Sequence, residues 1–122
     1  MRIYCTRSFL RQATKEGMTD EDCREAIRKA EKGLIDADLG KGLIKQRIAK
    51  GPRGAAKGAR AIVFYRRGRI AVFLHVFAKN QKANLTKSEL ATYQQAAQAL
   101  AKLTDEQLGA LSATQGWKAL DT

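Results

Sequence analysis

The sequence predicts an α+β fold: a small antiparallel sheet of about three strands, with two helices before it and further helices after it. Three observations carry this. Helix start and stop signals cluster in the first and last thirds of the chain. Two β-rich runs in the middle are separated by a single glycine, Gly68. The whole excess of positive charge lies in that same middle third. Helix signals on both sides of a strand-rich centre are the pattern of one α+β layer structure.

The N-terminal third reads as helical. Arg2–Cys5 is a short stretch that fits an edge strand. Ser8–Glu16 carries Phe9, Leu10 and Ala13 on one stripe, and Gly17 suits a helix C-terminus. A second helix starts at Thr19, a good N-cap, with Asp20, Glu21 and Asp22 in its first turn and Met18 placed to pack on Cys23. Cys23, Ala26, Ile27 and Ala30 continue at helical spacing until Gly33.

The middle reads as β. Leu43–Lys50 is a candidate strand, followed by Ala59–Arg67 and Arg69–Lys79, which Gly68 joins into a tight hairpin. Strict alternation along the last strand puts Ile70, Val72, Leu74, Val76 and Ala78 on a core face. It puts Phe73, His75, Phe77 and Lys79 on a partly open one. In the last third, Thr86 with Glu89 forms a capping box, and Leu90, Tyr93, Ala97 and Leu100 share a face. Leu103–Leu108 repeats the device, so another helix begins there, and Trp117 is expected to anchor the tail. At 122 residues the chain fits one domain over 1–122, with a C-terminal helical extension from about residue 86.

Composition excludes several classes. With 44% apolar residues, disorder is not the default. No stretch nears the ~18 consecutive apolar residues of a membrane span, and MRIYCTRSFLRQ lacks the apolar run of a secretory signal. Two cysteines, Cys5 and Cys23, are too few for a disulfide framework or a zinc site; reduced thiols in a cytoplasmic, soluble protein fit.

The net charge is +11. From Lys41 to Lys82 there are 12 Lys or Arg and no Asp or Glu; outside that window 11 basic residues face 12 acidic ones, a net of −1 (11 − 12). Such segregation favours a polyanionic partner over charge kept only for solubility. Gly51–Gly58, with Pro52 and three glycines, excludes regular structure. It is not a nucleotide-binding phosphate loop, because Lys57 precedes Gly58 rather than following a glycine and leading into Ser or Thr. It reads as a basic loop able to lie along a nucleic-acid backbone, or as a plain connection.

Lys45 and Arg47 share a strand face, Arg60 opens the next strand and Lys79 ends the last, so the four can meet on one side of the sheet. RNA cleavage needs no metal: a 2′-OH attacks the adjacent phosphorus, a base takes its proton, cations stabilise the phosphorane-like charge, and an acid protonates the 5′ oxygen. Lys and Arg supply the electrostatic part. The spacing equally suits solvated strand ends. His75, the single histidine, is flanked by Leu74 and Val76; packing is its first reading and acid–base catalysis its second. No second His, Cys pair or carboxylate cluster in the β region favours a metal. Tyr65 and Phe77 are candidates for base stacking, with core packing ahead for Phe77.

Four pieces in order resemble a known family: LIKQRIAK at Leu43–Lys50, the Gly-rich loop ending Lys57-Gly58-Ala59-Arg60, Val63-Phe64-Tyr65, and Val76-Phe77-Ala78-Lys79-Asn80. Together they look like the RelE/HigB superfamily of type II toxin–antitoxin toxins, over roughly residues 9–111. The resemblance implies a twisted antiparallel sheet backed by helices, ribosome-associated mRNA cleavage without a cofactor, and a cognate antitoxin, expected to be of the helix-turn-helix type. Arg60 resembles the arginine that contacts the scissile phosphate, and Lys79 the basic residue ending the last strand. Lys45 and Arg47 resemble the paired basic strand positions. This gives Arg60, Lys79 and His75 as catalytic candidates, and Lys45, Arg47, Lys50, Arg53, Lys57 and Lys82 as RNA-binding ones. Two positions depart: Asn80 stands where RelE toxins have a second catalytic arginine, and Thr86 falls near their terminal tyrosine. The alternatives are a gyrase inhibitor like the related ParE branch, or a non-enzymatic basic nucleic-acid-binding protein.

Overall fold

The computed structural model describes residues 1–48, 58–79 and 84–120. In chain order the elements are β1 (Arg2–Cys5), α1 (Arg7–Glu16), α2 (Asp20–Glu31), β2 (Ala37–Gly40), β3 (Leu43–Arg47), β4 (Ala59–Arg66), β5 (Ile70–Ala78), α3 (Lys87–Ala101), α4 (Asp105–Gln115) and β6 (Lys118–Leu120). The strands form one sheet in the order β2-β3-β4-β5-β1-β6. The α+β class is as expected, but the sheet is larger than three strands and is mixed. β1 lies parallel to β5, and all other neighbours are antiparallel. β1 is also not an edge strand: β5 flanks it on one side and β6 on the other. It precedes both N-terminal helices, as expected of a strand at Arg2–Cys5.

The helices form where their caps direct. Thr6 accepts from the Phe9 N–H to open α1, and Gly17 at φ +70° closes it. Thr19 with Asp22, Thr86 with Glu89 and Thr104 with Gln107 each bond reciprocally, opening α2, α3 and α4 with capping boxes. The hairpin β4–β5 turns over Arg67-Gly68-Arg69. The Arg69 N–H donates to Arg66 O over 2.9 Å, and Gly68 takes φ +72°. Glu31, at the end of α2, accepts from the Gly68 N–H and the Tyr65 hydroxyl, tying the turn to the helix layer.

Both faces of the sheet are covered. Phe9, Ala13, Cys23 and Ile27 from α1 and α2 pack on Ile44, Ala61, Val63, Ala71, Phe73 and Val76. Ala97, Leu100 and Leu108 from α3 and α4 pack on Leu43, Ile62, Phe64, Val72, Leu74 and Phe77. Cys5 and Cys23 are buried free thiols in the first of these layers. Trp117 lies against the second, its ring 6.2 Å from that of Tyr4, and leads into β6. Among the described residues no helix is long and apolar enough to cross a membrane.

The strict alternation expected along β5 does not hold. Ile62 pairs with His75, yet Val63 pairs with Phe73, so Leu74 is an extra residue in the ladder. A bulge of this kind switches which side chains face which layer. Val76 therefore joins Phe73 on the α1–α2 side, while Phe77 follows Leu74 to the α3 side. The partly open face expected for Phe73, His75 and Phe77 is likewise absent. Every residue of β5 is buried because helices cover both sides.

Candidate active site

Lys45 and Arg47 alternate with Ile44 and Gln46 along β3 and lie on the face of Leu43. On β4, Arg60 lies on the face of Ile62 and Phe64. The three cations thus share the α3 side of the sheet. Arg47 is directly opposite Arg60, which is opposite Phe77; one row over, Lys45 is opposite Ile62, which is opposite His75. Like charges directly opposite across a ladder are unfavourable, so this pairing needs compensation.

The compensation is Asp36, just before β2. Its Oδ2 lies 3.5 Å from Arg60 Nε and 3.9 Å from Lys45 Nζ. The Arg60 side chain is only 8% exposed, and its Nη1 also donates to the Gly58 and Ala59 carbonyls, each over 3.2 Å. A guanidinium this enclosed must be paired, and the two carbonyls by hydrogen bonds and Asp36 by its charge do it. Asp36 is itself fixed. Its N–H donates to Gln46 Oε1 over 2.9 Å, and the buried Gln46 donates from Nε2 to Ala26 O and Leu34 O. One carboxylate therefore pairs with two of the three cations, leaving an excess of two positive charges in the group (3 − 1).

Lys79 follows the last residue of β5. It is exposed, and its N–H donates to Gly58 O over 2.9 Å, which places it across from Gly58, two residues before Arg60. His75 shares the α3 side but lies under the helix layer, 9% exposed. It stacks on Tyr93 of α3 at 5.0 Å and on Phe77 at 5.9 Å. Burial raises the Tyr93 phenol above its ordinary range, with the Glu89 charge adding to it. Tyr65 belongs to the opposite face, where burial, with the hydrogen bond to Glu31, raises its hydroxyl too. Lys50, Arg53, Lys57, Lys82 and Asn80 lie outside the described residues. Thr86 is the N-cap of α3, its hydroxyl accepting from the Glu89 N–H.

Arg60, Lys45 and Arg47 are thus brought together on rigid strands, with Lys79 at the strand ends. The model for the RelE toxin of RelE/RelB toxin–antitoxin systems matches residues 1–119. The chain belongs to the RelE toxin family. It is accordingly a toxin of a toxin–antitoxin pair, and an antitoxin is its partner. No curated, individually described protein matches it. Within this RelE toxin, sequence reasoning missed Asp36, Gln46 and Tyr93. Asp36 is the last acidic residue but one before the acid-free window, in a stretch with no recognisable pattern. Its pairing with Arg60 depends on the fold alone.

Proposed function

We propose that this RelE toxin is a metal-independent, ribosome-associated mRNA endonuclease of the HigB-like kind. It acts in the cytoplasm and is held inactive by a helix-turn-helix antitoxin. The observation that carries the reading is Arg60, aimed from β4 and flanked by Lys45 and Arg47 on one face of the sheet. In the proposed step the ribose 2′ oxygen bonds to the adjacent phosphorus and the bond to the 5′ oxygen breaks. The 2′ proton leaves to a base, and the 5′ oxygen gains a proton, giving a 2′,3′-cyclic phosphate and a 5′-hydroxyl. Arg60 and Lys79 stabilise the charge that develops on the phosphoryl oxygens, and Lys45 and Arg47 hold the flanking backbone. His75, packed on Tyr93, is the proposed proton-transfer group.

Expression of the toxin without its antitoxin tests this. Rapid arrest of translation with new 5′-hydroxyl ends in mRNA is expected. An early DNA-damage response with intact transcripts would instead place the chain with the gyrase inhibitors, and binding without either effect would make it a nucleic-acid-binding protein.

A further inference from the structure

We propose that Asp36 is the positioning residue of this site, the group that aims the Arg60 guanidinium and holds Lys45 beside it. The inference rests on reading Arg60 as the phosphate contact. Three observations converge on it. Asp36 reaches both cations with a single oxygen, at 3.5 Å and 3.9 Å. It comes from outside the acid-free run 41–82, which supplies every other charge of the cluster. Its backbone is anchored through its own N–H by Gln46, whose amide is locked to two backbone carbonyls, so the carboxylate projects from a fixed point of the frame.

An arginine opposite another arginine is repelled from the shared face. With Asp36 on Nε and the Gly58 and Ala59 carbonyls on Nη1, the guanidinium plane is fixed in spite of that repulsion. A fixed donor stabilises a transition state, whereas a wandering one supplies only general attraction, and a misplacement of about 1 Å can cost about 100-fold in rate.

Charge alone and positioning predict opposite signs for Asp36→Asn. The substitution adds one net positive charge, so simple attraction would tighten RNA binding and leave cleavage equal or faster. Positioning predicts cleavage slower by about 10- to 100-fold in kcat, at a KM unchanged or lowered, with Asp36→Glu recovering part of the loss. Asp38→Asn, on the exposed neighbouring strand, adds the same charge and serves as the control. The measurements use the full chain, with thermal unfolding run in parallel to confirm that each variant is folded. A second readout needs no activity: the Arg60 Nε–Hε resonance is expected to exchange slowly in the wild type and to lose that protection in Asp36→Asn. Wild-type kcat in Asp36→Asn, or an unprotected Hε in the wild type, overturns the proposal. If the wild type cleaves nothing, the endonuclease reading fails, and the Hε comparison still decides whether Asp36 holds Arg60.

Discussion

Two arginines of β4 on the same face of the sheet are employed differently, and the difference is testable. Arg66 donates to Asp105 over 2.8 Å and to Leu103 O over 2.6 Å, and its guanidinium lies over the Phe64 ring at 5.3 Å. It ties the hairpin to the junction of α3 and α4. Arg60 is held at the site. Arg60→Ala is therefore expected to lower mRNA cleavage by about 100-fold or more, the scale of losing one transition-state donor. Arg66→Ala should lower the melting temperature, while what remains folded keeps its cleavage rate. Single-turnover cleavage beside thermal unfolding separates the two. His75→Gln keeps polarity and removes the titrating ring; undiminished toxicity in that variant takes His75 out of the mechanism. Asp105 also makes a pH prediction. The hydrogen bond from Arg66, followed by that from Arg69, holds its carboxyl below the usual range. A folded-state pKa that is depressed contributes stability above the unfolded value, near 4 for Asp, and loses it as pH falls through the folded value. Asp105→Asn should thus lower the melting temperature at neutral pH and flatten its fall on acidification; an acid limb as steep as the wild type's would refute the assignment. At this scale the sequence singles out a residue that sits inside a motif, as it does Arg60. It does not single out Asp36, because its partners lie 9 and 24 positions away (45 − 36 and 60 − 36) and meet it only through the sheet.

Elements with local start signals were legible, and those defined by long-range pairing were not. The caps at Thr19, Thr86 and Thr104 were marked by the acid or amide three residues on, and each forms its reciprocal bonds. The hairpin was marked by Gly68. β2 and β6 carried no such mark. β2 is four residues of mixed polarity, and β6 is three residues whose strand identity comes from pairing with β1. The extra residue at Leu74 was hidden for another reason. With both faces apolar, a bulge leaves no break in the hydrophobic pattern to show where alternation changes phase. Two substitutions test the elements as read. Thr86→Ala is expected to cost about 1 kcal/mol by denaturant unfolding, the usual worth of such a cap. Gly42, in the β2–β3 turn, has φ +83°, and a Cβ there would lie 3.1 Å from Phe64 Cε1. Gly42→Ala should therefore destabilise through strain in both backbone and packing, and more than Thr86→Ala does. The reverse order would mean that the turn relaxes at little cost.

Across the whole molecule, the positive charge is concentrated in the part of the chain that supplies the middle strands of the sheet. β3, β4 and β5 bring with them a window of 12 cations and no acids, while the rest of the chain is close to neutral. A window this basic attracts any polyanion, so affinity alone does not identify RNA as its ligand. Salt dependence does more, because each phosphate neutralised releases counterions and adds about −0.7 to the slope of log K against log salt for a single strand. Lys57→Ala removes one cation just before Gly58 in the sequence, and should make that slope shallower by about 0.7 with little change in kcat. Lys15→Ala removes the same charge from α1, on the opposite side of the sheet, and should leave the slope as it was. Fluorescence anisotropy on a short single-stranded RNA between about 50 and 200 mM salt gives both values. The antitoxin supplies the last arm. If it acts by covering this window, the co-purified complex should bind the same RNA weakly and with a much flatter slope. If the complex keeps the slope of the free toxin, the window stays open in the inhibited state. Inhibition would then act through a surface outside this window. Equal slopes for Lys57→Ala and Lys15→Ala would remove Lys57 from the RNA contact.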